Sequence, residues 1–429
     1  MKVIVSSVTT DCNNIIIAPI RYRFRPIIRN SLQKPSLING YKRAQRNNKK
    51  NRKQPYQKKE VKCMLSGILF IVIHKLLFWR IPTFDLSAKE GTQNQTKKIS
   101  IIIPARNEED NLKSLLTSLK KQAFRPKEII VVNDDSTDRT KEVALALGAT
   151  VIDAPPLPPN WMGKSWACWI GAQKTKGEWL LFLDADTTFE KNGLCKIASL
   201  FSSKKSVVFS IHPFHMMKSS IERLSSFFHL VIFAATGHTH PFSNTQAFGG
   251  FGQCLLCEKD SYFQLGGHKS ISGEIVENLA LLNAFKQQGK IIEAYSGKDV
   301  LNMRMYSASL PSVFFGWAKS FATGAKNIQP ILLIIILIWI GSLYTFVSNL
   351  LSDPITESVW LLYAWITLVL FRTLRKIGHF SLLSTFLFPV NLGFFLVTFF
   401  YSLVTTYLLK RSMWKGRNVV ISDKGEKMK

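Results

Sequence analysis

The chain changes its hydrophobic period several times. From about residue 99 to 212, short apolar runs alternate with stretches whose apolar residues recur every three or four positions. The short runs at 99–103, 129–132, 150–152, 179–183 and 206–210 have strand length and strand composition. The stretches between them, near 108–121, 137–147, 165–175 and 190–202, carry helical spacing. Strands in alternation with helices predict an α/β domain whose parallel sheet is covered on both faces.

Elsewhere the pattern is that of a bilayer. Residues 64–82 form a marginal spanning helix, interrupted by His74 and Lys75 and closed by Arg80. A polar linker follows over 87–98. Residues 224–235 are apolar but too short to cross, and predict an interfacial or buried core helix. Residues 311–325, with Phe314, Phe315, Trp317 and Phe321 beside the lone cation Lys319, suit a helix on a membrane surface. Then 328–351 reads as a span, 358–371 as a shorter helix, and 380–409 as an uncharged run of 30 residues. One helix of that length would measure about 45 Å, more than a straight crossing needs. Pro389, Asn391 and Gly393 interrupt its middle and predict a kinked or re-entrant pair. A basic tail occupies 410–429.

Composition adds constraint where the pattern is silent. The 429 residues are 46% hydrophobic, too apolar for a disordered chain. The net charge is +28, and 1–63 carry half of it: 16 Lys and Arg against two acids, Asp11 and Glu60. That low-complexity segment shows neither period. It reads either as an arm for nucleic acid or anionic lipid or, as we take it, as a segment that is disordered or not translated. Lys59-Glu60-Val61-Lys62 can be encoded AAG GAG GTG AAA, a bacterial ribosome-binding sequence ahead of a Met64 start codon. The remaining charge is explained by cations that flank membrane helices, so no nucleic acid is expected as a partner. Six cysteines in so long a chain exclude a disulfide scaffold and point to a reducing compartment.

Candidate chemistry collects at strand ends, where open α/β sheets bind ligands. The first predicted strand runs into Pro104-Ala105-Arg106-Asn107-Glu108-Glu109, the second into Asn133-Asp134-Asp135-Ser136-Thr137-Asp138, and a later one into Asp184-Ala185-Asp186-Thr187. Asp135 or Ser136 alone could be only a helix N-cap. Two carboxylates at i and i+2 beyond an apolar strand can both reach a hard divalent cation that holds phosphate oxygens. Other groupings read as structural. Cys254 and Cys257 are three apart in a predicted strand, so their thiols face opposite ways and zinc is not expected. His212-x-x-His215 and His238-x-His240 lack an acidic or cysteine companion nearby, and Cys168 between Trp166 and Trp169 reads as packing.

The run from Ser100 to Asp186 resembles the family 2 glycosyltransferases of the GT-A fold, which use nucleotide-diphosphate sugars. Pro104 to Glu108 matches that family's Pro-x-x-Asn-Glu; Asn133 to Asp138 matches Asp-Asp-Gly-Ser-x-Asp, with Asn133 for the first Asp and Asp135 for Gly. The resemblance implies that Pro104, Glu108, Asp134, Lys164 and Asp184 bind the nucleotide sugar. Asp134 would read base and ribose, and Lys164 would face uracil and diphosphate. Asp184 and Asp186 would hold Mg2+ or Mn2+ against the diphosphate. Glu277-Asn278, with Leu281 and Gly289 in register, falls where the family has an acidic pair, so Asn278 stands at the usual catalytic Asp. Gln-x-x-Arg-Trp of the processive synthases is absent, which implies one sugar per acceptor. Phe248-Gly249, Gly266-Gly267-His268-Lys269-Ser270, Arg304-Met305-Tyr306, Gly316-Trp317 and Trp414-Lys415-Gly416-Arg417 narrow the resemblance, over about 98–425, to a branch that esterifies C30 carotenoid acids with a sugar in staphyloxanthin-type pathways.

The resemblance therefore implies a GT-A (Rossmann-like) nucleotide-sugar domain over 98–325, between an N-terminal transmembrane helix at 64–82 and C-terminal transmembrane helices over 328–409. The expected activity is membrane-bound, inverting transfer of one sugar, glucose, from a UDP-sugar to the carboxylate of a carotenoid acid. The alternative acceptor is a polyprenyl phosphate or other lipid alcohol. A carboxylic acid with a pKa of about 4 is already ionised at neutral pH; it needs no base, only a cation on approach. Asn278, with His268, Lys269 and Arg304 in the same half, suits that acceptor, with Arg304 and Trp317 as contacts. The other reading makes Glu277 a base from one position earlier. A catalytically dead scaffold would need a broken metal motif, and Asp184 and Asp186 are intact. Nucleotide sugars are cytosolic, so 98–325 should lie inside a cell membrane that the chain crosses several times. A Met64 start removes the conflict between the basic segment and the positive-inside rule. Lys410, Arg411, Lys415 and Arg417 should also be inside, which favours an even number of passes, or a re-entrant loop, across 378–409.

Overall fold

The computed structural model describes residues 58–84, 93–203, 208–241, 247, 249–274, 277–306, 309–318, 328–352, 356–408, 411–414 and 417–420. The chain forms two compact units, Met1–Lys59 and Glu60–Lys429, and the second contains all the described strands. In chain order the strands are β1 (Ile99–Ala105), β2 (Glu128–Asn133), β3 (Thr150–Asp153), β4 (Trp179–Leu183), β5 (Thr187–Phe189), β6 (Val208–His212), β7 (Phe214–His215), β8 (Cys254–Glu258), β9 (Ile292–Ser296), β10 (Leu301–Met303), β11 (Arg411–Trp414) and β12 (Arg417–Val420). The principal helices are α1 (residues 58–77), α2 (Glu109–Lys120), α3 (Thr140–Ala146), α4 (Gly163–Gln173), α5 (Gly193–Ser203), α6 (Ser226–Ala235), α7 (Glu277–Gln287), α8 (Leu310–Ala318), α9 (Pro330–Ser352), α10 (Glu357–Leu374), α11 (Leu382–Phe386) and α12 (Phe388–Leu403).

Seven strands build one sheet in the order β3-β2-β1-β4-β8-β6-β9. The first four are parallel and in register, with Ala105 beside Asn133 and Ile102 beside Phe182, so their carboxyl ends line up. β8 runs antiparallel to both its neighbours, β4 and β6. This corrects the purely parallel expectation: β8 enters between β4 and β6 and runs opposite to both, so the sheet is mixed. Of the last expected strand, at 206–210, residues 206–207 lie outside the described ones, and the strand Val208–His212 runs two residues past the expected end. A second, smaller sheet has the order β5-β10-β7.

Alternation along each strand supplies two cores. Ile99, Ile101 and Ile103 pack with Leu112, Leu115, Leu116 and Leu119 of α2. Ile102, Ile130, Val132 and Phe182 pack with Ala167, Cys168 and Ala172 of α4. Gly171 allows α4 this approach, since a Cβ there would lie 2.6 Å from Ile102 Cγ2. Cys254 and Cys257 fall in opposite cores, as their separation requires, and Cys168 is core packing. The second core does not stop at the sheet. It continues through Leu281, Leu282 and Phe285 and the fully buried Phe227 and Phe228 of α6 to Trp339, Leu343 and Phe346 of α9. Each such phenylalanine contributes roughly 1.5–3 kcal/mol, so residues 224–235 form a core helix, as expected for their length.

Three helices, over Pro330–Leu351, Glu357–Leu374 and Phe388–Thr406, are long and apolar enough to cross a membrane. α1 is not among them, yet it lies against two of them: Phe70 stacks on Trp339 at 5.5 Å, and His74 Nε2 meets Thr373 Oγ1 at 2.9 Å. At its other end the Glu60 carboxylate accepts from Thr356 Oγ1 at 2.8 Å and Ser358 Oγ at 3.0 Å. Residues 58–63 are thus helical, and the helix stops at 77, short of 82, where Arg80 N donates to Thr239 O at 3.0 Å. The 30-residue apolar run divides at Leu387, two residues before Pro389. Pro389 lies in the first turn of α12, where its missing N–H costs nothing. The run starts beside the sheet domain, with His379 N donating to His215 O at 2.9 Å. It turns against Tyr363, whose ring lies 4.7 Å from Phe388, and comes back to α8, where Ser402 Oγ donates to Ala318 O at 2.6 Å. Of the expected surface helix, Leu310–Ala318 is helical with Trp317 buried and Phe315 exposed, while 319–327, Lys319 included, lie outside the described residues. The same holds for 1–57, Phe248 and Lys410; the tail contains the antiparallel pair β11–β12.

Candidate active site

Three strand ends meet at one cavity of about 240 Å³, and Pro104, Glu108, Asp134, Lys164, Asp184 and Asp186 all line it. The loops that carry them are cross-tied. Asp138 accepts from Glu109 N at 3.1 Å and from Thr140 N at 3.0 Å, and Asn107 Oδ1 accepts from Thr137 N at 2.8 Å. Both departures from the family motif have a structural account. Asn133 Nδ2 donates to Asp153 Oδ1 at 2.9 Å, a bond an Asp could not make. Asp135 takes φ +56°, the left-handed region for which a glycine is the usual choice and which Asp also tolerates.

Asp134 is buried, with Oδ2 unpartnered among the described residues and Arg106 Nη1 4.0 Å away. Arg106, which sequence reasoning passed over inside its own motif, also donates to the Asp134 carbonyl at 3.0 Å. Lys164 enters from the first turn of α4. Its Nζ stands 2.7 Å from Asp184 Oδ1 and 2.8 Å from Glu277 Oε1, so one ammonium joins the strand-end carboxylate to the start of α7. Burial opposes that charge, but the two carboxylates outweigh it and hold Lys164 well above its ordinary pKa. Burial likewise works to raise the Glu277 carboxyl, yet Lys164 keeps it below the usual range. Asp184 is raised, by burial first, with Glu277 and Glu108 adding to it against Lys164.

Asp186 has no such partner. Burial, then Asp184 and Glu108, push its carboxyl up to about 7, and its Oδ1 has no hydrogen-bond partner among the described residues. A dense set of carboxylate oxygens with one orphaned member fits a hard divalent cation of the Mg2+ or Mn2+ kind, which Asp184 and Asp186 could hold.

Asn278 is buried next to Glu277, donating to Gly252 O and, at 3.2 Å, to Glu277 Oε1. His268 lies behind them, wholly buried; its Nδ1 pairs with Tyr262 Oη at 2.8 Å and its ring stands edge-on to Phe182. Gly266 and Gly267 make this fit, both at positive φ, and a Cβ on Gly267 would lie 2.4 Å from the Tyr262 ring. Burial lowers His268 to about 4, so it is neutral near pH 7, although Glu277 pulls the other way. The group of cations expected around Asn278 is therefore not the one observed. His268 is uncharged, Lys269 is exposed, and Arg304 Nη2 is spent on the buried Glu222 at 2.7 Å. Lys164 is the cation there.

A second cavity, about 250 Å³, is lined by Gly252, whose carbonyl accepts from Asn278. Gly252, Gln253 and Leu279 form its inner end, Trp317 and Tyr306 one wall, and Ile336, Leu337, Phe395 and Phe399 of α9 and α12 its outer end. Trp317 lines this second cavity, while Lys269 and Arg304 line neither.

A mixed α/β sheet with a carboxylate cluster beyond its parallel strand ends defines a GT-A glycosyltransferase. In fold the chain is similar to a mannosyltransferase from Pyrobaculum calidifontis solved with GDP-Man and Mn2+, at TM-score 0.51 and 13% identity over 82% of this chain and 97% of that one. Residues 100–260 match glycosyl transferase family 2. The chain is 32% identical to a 4,4'-diaponeurosporenoate glycosyltransferase of Staphylococcus haemolyticus over 83% of this chain and 96% of that protein. It is equally similar, 32% over 83% and 98%, to the same enzyme of Staphylococcus aureus strain USA300. The protein belongs to the family 2 glycosyltransferases.

Proposed function

We propose that the protein is a membrane-bound inverting glycosyltransferase that moves one sugar, glucose, from a UDP-sugar to the carboxylate of a C30 carotenoid acid. The observation that carries this reading is the second cavity, which joins Leu279 and Gly252, whose carbonyl accepts from Asn278, to residues of two helices of membrane-spanning length. At about 250 Å³ it accepts the end of a long apolar chain, not all of it. The remainder would lie along α9 and α12 in lipid. The names of the staphylococcal relatives point to the same acceptor.

In this reading Asp134 and Arg106 bind the nucleoside, and Lys164 neutralises the diphosphate. Asp184 and Asp186 would hold the divalent cation, which supplies charge stabilisation for the departing diphosphate. Binding of the donor gives Lys164 a new anion and loosens its hold on Asp184. The acceptor carboxylate approaches ionised. Glu277, held ionised and tied to Lys164, is a weakened base, and Asn278 offers an amide where a second carboxylate would repel the acceptor. The apolar wall excludes water that would otherwise compete for the sugar.

With the nucleotide site cytosolic, α9 and α10 cross outward and back, and 378–406 forms the re-entrant pair, since both its ends meet the sheet domain. The test uses membranes carrying the full chain and radiolabelled UDP-glucose. A carotenoid acid should yield an alkali-labile lipid ester of inverted anomeric configuration. Labelling of polyprenyl phosphate instead, with none of the carotenoid acid, would establish the alternative acceptor.

A further inference from the structure

Three histidines that the transfer reaction does not use meet beneath the acceptor cavity. His212 ends β6, His215 ends β7 and His229 lies within α6, so the His212-x-x-His215 spacing gives two members of the group and only the fold adds the third. Each offers a ring nitrogen, and the three lie within 4.8 Å of one another. The ring centroids of His215 and His229 are 3.9 Å apart, and those of His212 and His215 4.8 Å. All three side chains are at least 98% buried, at 2%, 2% and 1% exposure. Nδ1 of His212, Nε2 of His215 and Nδ1 of His229 have no hydrogen-bond partner among the described residues.

We propose that His212, His215 and His229 bind a transition-metal ion of the Zn2+ class, separate from the carboxylate site. Three imidazoles suit Zn2+ and its neighbours and are poor ligands for Mg2+ or Ca2+, so the two sites select different ions. Burial keeps the three rings well below their ordinary pKa, so near pH 7 each retains a lone pair for a metal. The fourth position is open. A cavity of about 10 Å³ borders His215 and His229, room for about one water, and Glu222 on its wall can accept from that water. Phe233 and Phe251 flank His212, and Trp317 stands edge-on to His229 at 5.1 Å, which shields the ion from bulk water.

The location gives the ion a structural task. His215 is also the docking point of the membrane segment: its N–H donates to Ile377 O at 3.0 Å and its carbonyl accepts from His379 N at 2.9 Å. An ion here would pin the end of the central sheet to α6 and to the start of 378–406. It would hold the floor of the acceptor cavity, which His212 lines, without touching sugar or diphosphate.

The experiment takes the full chain in detergent, purified through an affinity tag free of histidine from cells supplied with Zn2+. Mass-spectrometric metal analysis should find about one Zn2+ per chain. His215→Phe and His229→Gln should lose it, and Asp186→Ala, in the other site, should keep it. In the wild type, a chelator should lower the thermal midpoint and Zn2+, but not Mg2+, should restore it; this arm decides the matter even if the variants fold poorly. Co2+ added to the chelated wild type should give visible d–d absorption that His215→Phe lacks. Wild-type protein without stoichiometric transition metal, whose midpoint ignores chelator and Zn2+ alike, would overturn the proposal and leave the three rings as aromatic packing.

Discussion

The two cavities of the candidate site are nearly equal in volume, about 240 and 250 Å³, and opposite in construction. The donor cavity is assembled from consecutive strand ends and the first turn of α4, all between residues 104 and 186. The acceptor cavity draws on residues from 212 to 399. In the first, carboxylates are concentrated and offset by Lys164 and Arg106. The second has hydrocarbon walls and a histidine floor. Polar recognition of a nucleotide can be encoded locally, because each strand end delivers two or three groups to one place. A hydrocarbon surface has no such economy and must be gathered from many elements.

Four measurements would break or sharpen this contrast. The largest effect belongs to the donor side. Asp186→Ala should reduce transfer by about 10³-fold while the thermal midpoint holds, because the residue lost is a buried, unpaired carboxyl. Transfer that survives in a folded Asp186→Ala protein would remove the metal role.

Next comes the acceptor side. Leu279→Trp fills the inner end of the apolar cavity and should cut kcat/KM for the lipid acceptor roughly 10- to 100-fold. UDP binding by calorimetry should change less than about twofold. Equal losses in both would mean that the two cavities are not separable.

A third test uses pH. Asp186 is raised to about 7 by burial and its acidic neighbours, so below that value a proton competes with the metal. The Mn2+ concentration for half-maximal transfer should climb by up to about tenfold per unit as pH falls below 7, and stay level above it. The same shift has a sign for stability without metal. Because the folded-state value lies above the unfolded one, the contribution is complete below about pH 4 and is lost as pH rises through about 7. Asp186→Asn should therefore unfold later than wild type at pH 8 and not at pH 4.

The smallest expected effect is the most discriminating for the acceptor. Glu277→Gln should lower kcat by less than about tenfold and leave its pH profile unchanged, since an ionised acceptor needs no base. A loss of 10²–10⁴-fold, with a base-like limb removed from the profile, would make Glu277 the base and an alcohol the acceptor.

Much of the molecule was legible in residue order. The period changes located the strands within a residue or two over 99–183, and the polar strand ends located Asp134, Asp184 and Asp186. That information is local: alternation and helical spacing are properties of neighbours, and parallel strands put their ends together by topology alone. The break in the last apolar run was expected at Pro389 and occurs at Leu387, because a first-turn proline starts a helix as readily as an interior one ends it.

Other features depended on distance in three dimensions. The sequence marked Lys269 and Arg304 as the cations for the acceptor half; packing exposed one and paired the other with Glu222, and carried Lys164 from 113 residues earlier to Glu277. The same packing removed water from His268, and with it the charge a histidine can carry in solution. His212, His215 and His229 form a group only because α6 folds back over β6 and β7. Residue order by itself determined the class of protein and the carboxylates gathered at the strand ends, since these rest on short-range pattern and covalent charge. Tertiary structure decided which charges survive burial, which ion pairs form and where the apolar cavity opens, since desolvation and pairing depend on what lies within a few ångströms, whatever the distance along the chain.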